Sequence, residues 1–471
     1  MVYNVDVQSY AGRFRLPDME RKMIMTELKV GYARKCITPK ESVPLAGYGN
    51  SAARMSQSVV SDLFITGCAF SDGAHPAVLL FSIDHLMTKR SHFDPIRRQI
   101  AEEHGLPFDN VLFSATHTHS GPDLGCKHES IDRYFPFMTE QILACAREAM
   151  ADLKIATISI ASNKSKYLSC VRHYMTENGE YRGVNLNVYH ESPIAYCTSE
   201  PDPHIQLVKF TRDGGKDVII ANWQAHPHLT GFGKADLSSD FIGVMRDEVE
   251  KALDCEFVYF SGASGNLNIR NFNTKLPIIT DYLEHGKELA RLALEALAKA
   301  QSVASGPVEL VAHYQKEILN PPPDAETLER AQDVWNYFTT STIYKDSILY
   351  AESKGLHSQY QANYMLIRKR LYDEGDINLE LPMHAFRVGD IGFVTAPYEM
   401  FDTNGKYIRD FSPFAATIVA TCANDYRSYI PSAYGYLNDC YEADTAIVPP
   451  GTGERLAQKY LKMLESLKPE A

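Results

Sequence analysis

A chain of 471 residues, 45% hydrophobic and 23% charged, has the material for a large core and exceeds the usual single-core size. It should form one large two-lobed domain or two domains. Its 59 acidic against 47 basic residues leave a net charge of −12, which argues against nucleic acid and anionic membrane surfaces as partners. Nine scattered cysteines with no C-x-x-C spacing argue against a cysteine-built zinc site and suit a reducing, cytoplasmic compartment.

In chain order, residues 1–26 are aperiodic and read as an N-terminal arm without a signal-peptide core. A strand follows at Leu28–Ala33, then a glycine-bearing loop, Leu45-Ala46-Gly47-Tyr48-Gly49-Asn50. Leu63–Phe70 and Ala77–Ile83 read as strands, and a helix is expected to start at Pro95, where a missing N–H costs nothing. Val111–Phe113 is a buried strand running into Thr116-His117-Thr118-His119, and Ile131–Leu153 is helical. The alternation of β and α predicts an α/β core with a mixed sheet.

Further strands are expected at Ile155–Ile160, Ile205–Phe210, Asp217–Trp223 and Phe257–Phe260, with helices at Phe241–Leu253 and Asp281–Ser302. The polar stretch Lys166–Pro203 reads as an irregular substrate loop. After Pro321-Pro322-Pro323, residues 324–373 form a helical insertion of two or three helices, expected to serve packing or dimer formation. Strands return at Leu379–Val388, Ile391–Thr395 and Thr417–Cys422, and Gly453–Leu467 closes the chain as a helix. No stretch reaches the roughly 20 apolar residues of a membrane span, so no stable membrane anchor is expected.

The chemistry gathers where these strands end. His117 and His119 stand two apart, and in extended chain both imidazoles would face one point. Three other apolar strands lead to His226/His228, to Glu399, and to Asp425/Tyr426/Tyr429. Strand ends on one edge of an α/β sheet converge on a crevice where such folds bind ligands. Two histidines and one carboxylate from separate strands are the usual protein set of a catalytic zinc, favoured only weakly over non-haem iron, which the same set also suits.

The order of these segments resembles the neutral ceramidase family, the neutral/alkaline non-lysosomal ceramidases, across most of residues 28–445. Val30-Gly31-Tyr32-Ala33 and Leu45-Ala46-Gly47-Tyr48-Gly49 are similar to its opening, and Phe81-Ser82-Ile83-Asp84 precedes the histidine motif as it does there. Ser114-Ala115-Thr116-His117-Thr118-His119-Ser120-Gly121-Pro122 is similar to its most characteristic motif. His226-Pro227 with Ser239-Asp240, Pro397-Tyr398-Glu399, and Tyr429 with Tyr441-Glu442 resemble its later segments. The resemblance implies a zinc ion held by His117, His226, Glu399 and Tyr429. It also implies His119 facing substrate, and Arg172 and Tyr441 as substrate or oxyanion contacts.

Two departures shape the expected function. The family keeps a nucleophilic serine in a Gly-Asp-x-Ser-Pro-Asn segment, whereas the matching stretch here is Gly265-Asn266-Leu267-Asn268-Ile269-Arg270. Asn268 takes the serine position, and an amide cannot form an acyl-enzyme. The chain also ends in a helix soon after the tyrosine segment, so no C-terminal immunoglobulin-like domain is expected. The expected protein is an amidohydrolase-type zinc enzyme that cleaves an amide or ester in a small polar substrate by zinc-activated water. A true ceramidase, a zinc lyase on a sugar-like substrate and a non-catalytic zinc-binding protein are the alternatives. The sequence leaves oligomerisation open.

Overall fold

The computed structural model describes residues 27–49, 51–183, 194–231, 234–269, 281–340, 344–438 and 440–468. The expected N-terminal arm, Asn50, Arg270 and part of the polar loop fall outside these residues. Two sheets stack face to face, with helices covering both outer faces. The larger sheet contains β1 (Lys29–Cys36), β2 (Phe64–Ser71), β3 (Val78–Ile83), β4 (Val111–Ala115), β5 (Lys154–Lys164), β6 (His204–Arg212), β7 (Val218–Trp223) and β8 (Glu256–Ser261). They run in the order β8-β7-β6-β5-β1-β2-β3-β4, and Gln301–Val303 also pairs with β5. The smaller sheet runs in sequence order through β9 (Val308–Ile318), β10 (Asn378–Val388), β11 (Ile391–Thr395) and β12 (Ala416–Ala420).

Side-chain alternation along each strand builds the layers. Leu79, Phe81 and Ile83 of β3 point into a core shared with α1 (Arg90–His104) and α2 (Glu129–Ala151). Val78 and Leu80 point the other way, into the core between the sheets, where Phe386, Ile391 and Phe393 meet them. Beyond the other half of the larger sheet, α3 (Asp240–Leu253) and α4 (Tyr282–Leu297) pack on Ile219, Trp223 and Phe257. The outer face of the smaller sheet is covered by α8 (Asp402–Phe411) and α9 (Thr452–Leu467), through Ile408, Leu456, Tyr460 and Leu464.

Within these two sheets, three of the described strand pairs are parallel: β3/β4, β7/β8 and β11/β12. Each is joined by a crossover that includes a helix, namely α1, α3 and α8, so the carboxyl ends of each pair open on one side. The stretch after β12 ties the two sheets together at those ends. Asn424 N donates to Phe113 O at 2.9 Å, Ala115 N to Cys422 O at 3.2 Å, and Thr421 N to Ser261 O at 3.0 Å.

Several local expectations are corrected. α1 begins at Arg90, not Pro95, which lies in its second turn. A buried apolar stripe, Phe93, Ile96, Ile100 and Ala101, extends the helix across the proline. The helix expected over Asp281–Ser302 stops at Leu297, and Gln301–Val303 is extended. The polar loop contains ordered strands at His173–Thr176, Tyr181–Gly183 and Ile194–Cys197. The helical insertion comprises α5 (Ala325–Thr340), α6 (Tyr344–Ser353) and α7 (Gln359–Asp373). Its α7 brings Tyr360 edge-on against Tyr441, with ring centroids 5.8 Å apart.

Candidate active site

β4 ends at Ala115, and the chain turns at once. His117 has φ of 67°, a left-handed conformation that His tolerates better than most residues. Its backbone N–H donates to His85 O at 2.9 Å. The two imidazoles therefore converge through a turn, not through β alternation, and their rings lie 5.1 Å apart. His119 N donates to Pro227 O, which brings the second histidine segment alongside the first.

The tautomers follow from backbone acceptors. His117 Nδ1 donates to Leu86 O at 2.7 Å, and His226 Nδ1 donates to Leu267 O at 2.8 Å. Both Nε2 atoms face Glu399, at 3.4 Å and 3.0 Å from its Oε2. Tyr429 Oη lies 3.4 Å from His226 Nε2. The other Glu399 oxygen accepts from Tyr426 Oη at 2.6 Å, which orients the carboxylate. All four converging side chains are buried.

Electrostatics fit a cation at this point. Burial works against ionising Glu399, but the charge on His117 and hydrogen bonds from both histidines hold its carboxyl well below the usual range. Burial also opposes a charged His117, and Cys422 and Glu399 outweigh it, holding the imidazole well above its usual value. Both shifts favour an ionised carboxylate facing a positive charge, the role that a metal ion would take. Two imidazole nitrogens, a carboxylate and a phenol form an N/O donor set suited to zinc. His117, His119 and His226 also offer ligand nitrogens within 4.8 Å of one another.

The other candidate residues ring this point. His119 is half-buried, and neither of its ring nitrogens has a hydrogen-bond partner among the described residues. Burial, with the neighbouring His117 and His226, pushes its pKa well down, so it is neutral. Gly47 makes room for it: a Cβ there would meet His119 Nδ1 at 2.6 Å, and its φ of +106° suits glycine. Arg54 ties that loop down, donating to Ala46 O and His119 O at 2.9 Å each. Asn268 is buried; His228 Nε2 donates to its Oδ1, and its Nδ2 has no partner among the described residues.

Arg172 is buried behind Tyr429. Its Nε donates to Glu442 Oε1 at 2.5 Å and its Nη2 to Gly265 O at 2.6 Å. Its guanidinium lies 5.3 Å from the rings of both Tyr429 and Tyr441. These contacts make it a brace for the two tyrosines. The fold thus brings together His117, His119, Arg172, His226, Asn268, Glu399, Tyr429 and Tyr441.

Sequence reasoning missed the roles of Tyr426, Glu442 and Tyr360. Tyr360 of α7 packs edge-on against Tyr441 at 5.8 Å and donates to Tyr48 O at 3.3 Å. Tyr48 in turn packs edge-on against His119 at 5.3 Å. Nothing local distinguishes Tyr360 among 27 tyrosines.

No family model matches the sequence. Two solved structures share its fold. Neutral ceramidase from Pseudomonas aeruginosa matches with a TM-score of 0.69 and 16% identity, over 95% of this chain and 76% of that one. A ceramidase complexed with C2 matches with a TM-score of 0.68 at the same identity and coverage. At that identity the likeness is one of architecture: this chain has a ceramidase-like mixed α/β fold.

Proposed function

We propose that this protein is a zinc-dependent hydrolase that cleaves an amide or ester bond in a small polar substrate. The observation that carries the reading is the convergence of His117 Nε2, His226 Nε2 and Tyr429 Oη around Glu399 Oε2. These four residues would hold the ion. Zinc supplies a Lewis acid that polarises a carbonyl and activates water near neutral pH.

The chain's own groups supply the remainder. Asn268 keeps Nδ2 free to donate to the substrate while His228 occupies its oxygen. Neutral His119, at the open side, donates one ring N–H to the developing oxyanion and offers the other nitrogen as an acceptor. Arg172 holds Tyr429 and Tyr441 in place, and burial of the ligand set keeps bulk water from competing. Asn268 offers no nucleophilic oxygen, so the reaction is a single displacement by water.

Metal analysis paired with a turnover screen tests this reading. The screen comprises N-acyl amides, esters, glycosides and detergent-dispersed ceramide. Zinc-dependent release of acid and amine or alcohol from a water-soluble substrate supports it. An unsaturated product would indicate a lyase, and preferred turnover of ceramide would replace the polar substrate class. Bound zinc with no turnover on any arm would leave a binding protein.

A further inference from the structure

Behind the first cluster lies a second. His173 opens the strand His173–Thr176, Cys440 precedes the short helix Tyr441–Asp444, and Glu442 lies within it. Folding brings the strand and the helix together across more than 260 residues. His173 Nε2 lies 3.0 Å from Glu442 Oε2. One ligand atom from each of His173, Cys440 and Glu442 falls within 4.8 Å of the others. All three residues are 0% exposed.

We propose that His173, Cys440 and Glu442 form a second zinc site with a structural role. Imidazole, thiolate and carboxylate are all established zinc ligands, and the thiolate favours zinc over magnesium or calcium. Bonds of roughly 2.0–2.3 Å set tetrahedral ligand atoms about 3.3–3.8 Å apart. The histidine–glutamate spacing is already that short, and the rest of the cluster need close by only about an ångström. The Cys440 thiol proton leaves as the metal–sulfur bond forms, so thiolate and carboxylate face the dication while Glu442 keeps its pairing with Arg172.

The Arg172 contact is compatible with this site. Glu442 gives Oε1 to Arg172 and turns Oε2 towards His173, so one carboxylate serves both. All three residues are 0% exposed, and no half-buried group such as His119 of the first cluster stands among them, which assigns the site to holding structure. It joins the small sheet of the polar loop to the segment carrying Tyr441. Through Glu442 and Arg172 it also stiffens the wall behind Tyr429. The site uses none of His117, His226, Glu399 and Tyr429, and it stands whether or not those four hold a metal.

Cobalt(II) is the probe, added to full-length protein stripped with a chelator. Wild type is expected to bind two cobalt ions per chain and to show a near-ultraviolet thiolate-to-cobalt charge-transfer band. C440S should bind one and lose the band, whereas H226A should bind one and keep it. H173Q, which should also lose the band, serves if C440S does not fold. Absence of the band in wild type overturns the second site. So does a band that survives both C440S and H173Q, or one that disappears instead in C422S, since Cys422 Sγ lies 3.6 Å from His117 Nδ1. One bandless cobalt lost in H226A would leave the first site and remove the second. A single cobalt with its band, indifferent to H226A, would keep the second site and remove the first.

Discussion

His228 donates through Nε2 to the Oδ1 of Asn268 at 3.0 Å, which fixes the orientation of this buried amide. With one hydrogen bond already on the oxygen, Nδ2 is the amide group left without a partner among the described residues. Replacing Asn268 with Ala is expected to lower kcat/KM by ~10²-fold, the cost of losing one oriented donor. H228A leaves the amide in place but free to rotate and should cost about tenfold, roughly 1.4 kcal/mol. Steady-state kinetics of both variants check this. Equal rates for wild type and N268A would remove Asn268 from the reaction.

Nearby serines are engaged elsewhere. Ser261 Oγ donates to Thr116 O at 2.7 Å, and Ser120 Oγ accepts from Thr230 at 3.3 Å. Mass spectrometry of enzyme quenched during turnover is therefore expected to find no acyl adduct. S264A should stay within about tenfold of wild type. An adduct on Ser120, Ser261 or Ser264 would restore a serine mechanism.

Loss of His226 removes an imidazole whose Nε2 faces Glu399 and whose Nδ1 is held by Leu267 O. H226A is expected to lose one zinc equivalent by elemental analysis and to lose turnover with it. Unchanged zinc content would refute the ligand set.

Tyr360 packs edge-on against Tyr441 and donates to Tyr48 O, and it is not one of the four proposed ligands. Y360A should leave metal content unchanged. It should raise KM for compact substrates several-fold and admit bulkier ones, because Tyr441 and Tyr48 lose their shared neighbour. A KM series across acyl chain lengths measures this, and an unaltered series would detach the insertion from specificity.

His285 supplies a pH test remote from the site. It is fully buried between Phe241 and Trp223, neither ring nitrogen has a partner among the described residues, and burial pushes its pKa down to about 3. The unfolded chain binds this proton near pH 6.5 and the folded chain does not, so stability falls as pH drops from about 6.5 towards about 3. The loss approaches ~1.4 kcal/mol per pH unit below that upper limit. H285L should abolish this part of the slope. Urea unfolding at pH 7, 6 and 5 should show the variant gaining on wild type as acid is added, and parallel curves would contradict it.

The sequence by itself determined the strands that carry the site. Val111–Ala115, Val218–Trp223 and Ile391–Thr395 are fully buried, apolar and short, and each runs towards a potential ligand, so His117, His226 and Glu399 were legible from local pattern. β9 escaped that reading because most of its residues are only half-buried at the edge of the smaller sheet, where periodicity is weak. Tyr429 was legible only through the resemblance, since a phenol becomes a candidate ligand by proximity to His226, not by spacing. Only the tertiary structure turned His117 through a left-handed backbone, set Arg172 against Glu442, and laid Tyr360 over Tyr441. The reason is physical: local periodicity reports which face of an element is buried. Contacts across tens to hundreds of residues depend on how two sheets and an insertion stack, and no single segment encodes that.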